Sequence, residues 1–335
     1  MSTLGQFAAE MKSWFSQIDP LATTTLVQRA YRDIRKSRDW SFNVQNGVWL
    51  SPSPISTGTV TVTFLSTQVA CDATAYPFWA AQATTAPPLC PLTQRQFRVT
   101  GGPIYNIVGF SPNTPSPGLG TITLDRPYTE QSASGGSYYI FQNYAAAPTL
   151  DFKRWLSWTD PINDYRFRRR NLYRTKEELD RMDPQRTSYS WPYIVATHDY
   201  TLLPGDTQMR PRFEIWPLPS QQIGYVTEWL VNGEGGVSLN SVLPPQISDE
   251  TIMARARHYG HQVVANQPNV DVKVKAWHLN AMRAADAEYV DLLNKDKMAD
   301  NSIFDSLVNN EDTGPVLNGP LDANFLQSHE LFLIP

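Results

Sequence analysis

Hydrophobic positions change their spacing three times along the chain. Over residues 3–17, Leu4, Phe7, Ala8, Met11, Trp14, Phe15 and Ile18 recur in steps of three and four. Such steps place them on one stripe of an amphipathic helix, with Ser2 or Thr3 as its cap and Pro20 as its break. Leu26, Val27, Ala30, Tyr31 and Ile34 make a second stripe that runs to about Arg38. From Trp40 to Pro148 the spacing drops to two. In "TGTVTVTFL" Val60, Val62 and Phe64 alternate with Thr59, Thr61 and Thr63, and "QFRVTGGPIYNIVGF", "GTITLDRPY" and "SGGSYYIFQNY" continue the series between Pro, Gly and Ser clusters.

Further on, "LDFKRWLSWTD" is strand-like, and Thr175 with Glu178 forms a capping-box pattern opening a short helix that Pro184 ends. "RPRFEIWPLP" and "IGYVTEWLV" predict two strands joined by a turn at Pro217–Gln222. The step of three to four then returns. Ser248 or Asp249 opens a third long helix, and Asp271 opens a fourth through Ala276, Leu279, Met282, Ala285, Tyr289 and Leu292.

The expected architecture is therefore α+β. N- and C-terminal helix pairs form a four-helix bundle, an antiparallel β-barrel or sandwich is inserted between them, and an extended C-terminal arm comes last. The expected segments are 1–39 (helical hairpin), 40–148 (β-insert), 149–247 (β-rich with a short helix), 248–297 (second helix pair) and 298–335 (arm). Pattern alone leaves barrel and sandwich both open.

Composition narrows the function. The chain has 335 residues, a net charge of −4, 26 prolines and 10 tryptophans. Mild acidity argues against a dedicated nucleic-acid binder, and the aromatic content points to large contact surfaces. No run approaches the ~20 apolar residues of a membrane span, so no membrane role is expected. The amino end has Glu10 where a signal peptide needs an apolar run, which points to a cytoplasmic product. Cys71 and Cys90 are expected to be thiols, since a secreted framework would carry more cysteines.

Candidate chemistry is sparse. "SASGGS" at 132–137 lies between strands and lacks the strand-to-helix elbow of a serine nucleophile. The glycine clusters fit neither a dinucleotide loop nor a phosphate loop. His258, His261 and His278 have a spacing that could bring two imidazoles together, but zinc needs three or four ligands. No enzyme activity, cofactor or metal is expected. The densest charge is "YRFRRRNLYRTKEELDRMDPQRT": residues 151–190 hold ten Lys/Arg against seven acids. Interleaved signs suit ion pairs better than a phosphate stripe, so Arg166, Arg168, Arg169, Arg170, Arg174 and Arg186 are assigned to contacts between subunits. The last 38 residues carry no lysine or arginine, yet Phe304, Leu307, Phe325, Leu331, Phe332, Leu333 and Ile334 make them apolar enough to seek a groove.

The order of helix pair, β-insert, "TITLDRPYT", "ELDRMDPQRT", "RFEIWPLP", helix pair and apolar tail resembles the head-to-tail adaptor (connector, neck) proteins of tailed bacteriophages. The resemblance implies a structural virion protein at the head-to-tail interface, made in the bacterial host cytoplasm. It implies a ring, usually of twelve copies, beneath the portal protein, with a tail or neck protein on the far side. DNA passes through the lumen without sequence-specific binding, and the C-terminal arm engages the portal. A tail-associated carbohydrate-binding or depolymerase component, and a DNA-binding module, are the competing expectations. The first rests on the tryptophans and the β-module, the second on residues 166–174.

Overall fold

The computed structural model describes residues 2–83, 91–112, 119–203, 206–233, 238, 240–268 and 270–308, with the backbone alone for Arg169 and residues 302–308. It is a mixed α and β structure of two compact units. Of the described residues, those up to 45, 151–154 and 229–308 make the helical unit, and those within 46–150 and 155–228 make the β unit. The expected segments 40–148 and 149–247 thus both contribute most of their length to one unit.

In the helical unit, α1 (Leu4–Trp14) starts at Thr3, whose hydroxyl and Gln6 side chain form a reciprocal capping box. Asp19 caps α2 (Pro20–Lys36), accepting from the Leu21 N–H, with Pro20 at the first helical position, where its missing donor costs nothing. Ser248 caps α5 (Asp249–Ala265), and α6 runs from Val272 to Val308. Leu4, Phe7, Met11, Val27, Ile34, Ile252, Tyr259, Tyr289 and Leu293 belong to one buried cluster drawn from all four helices. Among the described residues no helix is long and apolar enough to cross a membrane.

Two expectations change here. Trp14 belongs to the apolar stripe by spacing, yet it is 55% exposed. Residues 298–308, expected to begin an extended arm, are the last three turns of α6. Buried Asp300 anchors this stretch: it accepts from the Ser41 N–H at 3.1 Å and from the Ser41 hydroxyl, with Arg38 at 3.6 Å. Phe304 and Leu307 therefore sit on helix, while Phe325, Leu331, Phe332, Leu333 and Ile334 lie outside the described residues.

In the β unit, a seven-stranded antiparallel sheet forms a half-barrel. Its order is Ala133–Gly136, Val60–Val62, Gln68–Cys71, Gly120–Leu124, Tyr105–Pro112, Gln96–Val99, Tyr138–Phe141. The two edge strands are consecutive in the chain. Alternation sends Val60, Val62, Val69, Ile122 and Ile140 inward, onto Trp79 of α3 (Tyr76–Ala83). Trp79 is fully buried and donates its indole N–H to the Tyr138 hydroxyl at 2.9 Å.

The spacing predicts no helix here, because "YPFWAAQA" is apolar on every side and shows no period. The local signal is Asp72, which accepts from the Ala75 N–H at 2.8 Å and so turns the chain into α3. Gly58, at φ 84°, lets the backbone pass Asp72 and Ala75, where a Cβ would come within 2.6 Å of each.

The other strands make three sheets. Val44–Ser51, Ile223–Val231, Phe152–Asp160 and Tyr165–Arg166 form one, in that order; Arg174–Thr175, Ile194–Thr201, Arg210–Trp216 and Tyr144–Ala146 form another. Tyr189–Ser190 pairs in parallel with Leu218–Pro219. Residues 210–216 and 223–231 are therefore not a hairpin. Leu218 and Pro219 between them are engaged with Tyr189 and Ser190, which carries the chain from one sheet to the other. Trp49, Trp155, Trp158, Phe167 and Tyr225 stack at centroid distances of 5.1–5.8 Å. Of the ten tryptophans, Trp40, Trp79, Trp155, Trp158, Trp216 and Trp229 are buried, so the aromatic content serves cores before surfaces.

Candidate functional site: the arginine run and the cleft beside it

Helix α4 (Lys176–Met182) follows the capping box of Thr175 and Glu178, as the pattern required. Its end delivers the two carboxylates around which the run is organised. Arg186, in the left-handed region at φ 51°, turns its side chain back beneath α4. The guanidinium donates to Glu214 at 2.6 and 3.1 Å, to Asp180 at 2.6 Å, to the Leu179 carbonyl at 3.2 Å and to the Asp183 carbonyl. All five of its N–H groups are thereby used. The side chains of Arg186 and Glu214 are 6% and 3% exposed. Burial by itself would lower the arginine's pKa, but the Glu214 and Asp180 bonds outweigh it and hold the charge.

Asp183 completes the knot. Its carboxylate accepts from the Thr187 and Ser188 N–H groups and from the Trp216 indole at 2.9, 3.0 and 3.0 Å. Burial opposes ionisation here, and those bonds more than offset it, leaving the pKa below the usual carboxylate value. Buried Arg98 donates to the Arg186 carbonyl at 2.7 Å, to Gly102 at 2.9 Å and to the Gln185 carbonyl. The words "LDRMDPQRT" and "FEIWPLP" thus meet each other in space, through Arg186 with Glu214 and Asp183 with Trp216.

The other arginines are scattered. Arg174, on the short strand just before α4, pairs with Glu178 in that helix's first turn at 3.2 Å. Arg166 lies 3.8 Å from Glu228, which also accepts from the Ser157 hydroxyl at 2.6 Å. Arg168 and Arg170 are exposed. Arg186 and Arg174 thus have carboxylate partners within the same chain, while Arg168 and Arg170 face solvent.

Beside the knot lies an open cleft of about 860 Å³. Arg212 grips Asp199 with two bonds and covers the Tyr144 ring at 4.4 Å; Tyr144 meets His198 Nε2 at 3.3 Å. Burial, reinforced by Glu214, raises the Tyr144 pKa, so the phenol stays protonated at neutral pH. The wall carries both signs in equal number, Arg98, Arg126, Lys176, Arg186 and Arg212 against Asp125, Glu130, Asp180, Asp199 and Glu214. Such a surface neutralises itself and lacks the uncompensated positive charge that tracks phosphates.

His258, His261 and His278 are in the helical unit. His261 Nδ1 and His278 Nδ1 are 2.9 Å apart, while His258 turns toward the Met282 carbonyl and Asp286. Burial, then the neighbouring His278, Arg257 and His258, push His261 down to about 4; burial also lowers His278. Among the described residues no group of three or more His, Cys, Asp or Glu side chains could hold a metal. Cys71 is buried, and Cys90 lies outside the described residues.

No family model, curated protein or solved structure matches the chain.

Proposed function

We propose that the chain is a structural virion protein, a head-to-tail adaptor that forms a ring beneath the portal and surrounds the DNA exit channel. In this reading α1, α2, α5 and α6 act as a four-helix bundle that builds the ring, and the β unit faces a neighbouring tail or neck protein. DNA slides through without being held, because an acidic chain offers phosphates little purchase. Residues 309–335 engage the portal.

The observation that carries the reading is the solvent face of α6. Val272, Leu279 and Val290 are 80%, 36% and 47% exposed along one line of that helix, and Trp277, about 140° round it from Val272, is 61% exposed. Scattered surface hydrophobics are ordinary, but several large ones concentrated on one element mark a surface that is covered in use. The sequence resemblance supplies the kind of assembly. The arginine knot supports it from the other side: Arg186 is satisfied within the fold, and the basic run is interleaved with carboxylates.

Mass photometry and cryo-electron microscopy of the purified full-length chain test this. A closed ring that docks on isolated portal is expected; a single subunit at micromolar concentration, indifferent to portal, overturns it. Truncation has to respect Asp300. A chain ending at Val308 is expected to keep its fold and lose portal attachment, whereas one ending at Ala299 also loses the carboxylate that holds Ser41.

A further inference from the structure

We infer that copies of this chain associate head to tail through two different surfaces of the helical unit, which rests on the ring reading above. One surface is the outer line of α6. Val272, Leu279, Arg283 and Val290 succeed one another in steps of 7, 4 and 7, about 60–140° round the helix from the buried line His278, Ala285, Tyr289 and Leu293. All four are exposed, as is Lys275 beside them. From Val272 to Ala285 the helix contains no carboxylate, while Lys273, Lys275 and Arg283 make it basic. Neither Lys275 nor Arg283 has an ion pair among the described residues.

The other surface is the groove between α1 and α5. These helices lie side by side in the same direction: Ser2 donates to Asp249 at 2.6 Å at their starts, and Arg257, midway along α5, covers the ring of Trp14 at the end of α1 at 5.2 Å. The groove, about 460 Å³, is lined among others by Glu10, Trp14, Asp249, Glu250, Met253 and Arg257. Glu10 and Glu250 are exposed and lack an ion pair among the described residues. It is therefore apolar and aromatic at its floor, acidic at its rim, and about 12 Å long over Gln6–Trp14.

The two surfaces complement each other in each respect. An amphipathic helix lays its apolar line into a hydrophobic groove, and Val272–Arg283 spans about 16 Å, enough to fill this one. Lys275 and Arg283 then meet Glu10 and Glu250. Because the surfaces differ, every copy keeps one of each open until the chain of contacts closes on itself, as a ring requires.

The test uses full-length protein in two charge-reversed forms, Lys275→Glu with Arg283→Glu and Glu10→Lys with Glu250→Lys, read by mass photometry and sedimentation velocity. Each alone is expected to raise the concentration for half-assembly at least about tenfold, because like charges then face each other. Mixing the two in equal amounts restores opposite charge at every contact and is expected to recover assembly to within about threefold of the unaltered protein. Circular dichroism checks that each form is folded; a form that is not is replaced by its single-residue counterparts. If either folded variant assembles like the unaltered chain, or the mixture of folded variants stays dissociated, these surfaces do not meet and the ring reading survives without them. If the unaltered chain never assembles, the ring reading fails and this pairing falls with it.

Discussion

The β unit and the helical unit bury charge to different depths. In the β unit Arg186 and Glu214 lie almost wholly out of water, with Arg98 buried beside them. In the helical unit one charge cluster is about a third in solvent: Arg255 meets Asp33 and Asp286 at 3.0 Å, with side-chain exposures of 21%, 31% and 47%. The same arginine stacks on Tyr259 and Tyr289 at 4.7 and 4.8 Å, so its contacts are many and individually weak. Charge density along the sequence is thus a poor guide to what a surface offers a partner. The chain's most basic stretch divides between a buried Arg186 and exposed Arg168 and Arg170, while α6 shows an exposed apolar line with only a few cations.

This contrast predicts unequal costs. Arg186→Ala strands Glu214 in the interior and is expected to cost about 3–5 kcal/mol in urea unfolding. Arg186→Met with Glu214→Leu should recover most of that loss, since removing both charges also removes their desolvation. By comparison, Arg255→Ala should cost roughly 1 kcal/mol, because exposed pairs contribute little. Equal costs for the two arginines would erase the distinction between the units.

Asp300 is the helical unit's exception, a carboxylate at 0% exposure. Asp300→Ala leaves the Ser41 N–H and hydroxyl without their acceptor, and is expected to cost about 1–3 kcal/mol by thermal or urea unfolding. No measurable loss would mean that the distal part of α6 is not anchored there.

The histidine pair adds a pH-dependent difference. Unfolded imidazoles titrate near 6.5, and burial, with charged neighbours, keeps the folded ones lower, His261 at about 4. On acidification the unfolded chain takes up protons first. The helical unit therefore holds its full stability above about pH 6.5 and loses it progressively down to about pH 4. After discounting for partial solvent exposure the loss is roughly 1–2 kcal/mol. It is read as the drop in urea midpoint from about pH 7 to about pH 4.5, compared with His278→Gln, which should show less.

What could be read from the sequence was local. The stripes of α1 and α2, the cap at Ser248 and the capping box at Thr175 all rest on residues a few positions apart; α1, α4 and α5 start where their caps lie, while α2 starts at Pro20, six positions before its stripe. The pairing of strands was not legible. Arg210–Trp216 lies beside Ile194–Thr201, a strand whose buried Ile194, Val195 and Ala196 show no alternation. The end of α6 was missed because Gly314, Pro315, Gly319 and Pro320 punctuate the residues beyond it, while Asp300, 259 positions from Ser41, gives no local sign of its partner. Arg186 was legible as an arginine that wants a carboxylate, though not as one that finds Glu214 within the same subunit.

The smallest expected effect joins the local signal to the distant one. Thr175→Ala removes the hydroxyl that receives the Glu178 N–H, and the lost cap should cost about 1 kcal/mol. But α4 also presents Asp180 and the Leu179 carbonyl to Arg186, so a frayed α4 could loosen the knot as well. A double-mutant cycle of Thr175→Ala with Arg186→Met separates these possibilities. If the costs add, the cap is a property of the helix alone. If Thr175→Ala becomes free of cost once Arg186 is replaced, α4 owes its order to the buried guanidinium, and the signal that looked most local in the sequence acts through its most distant contact.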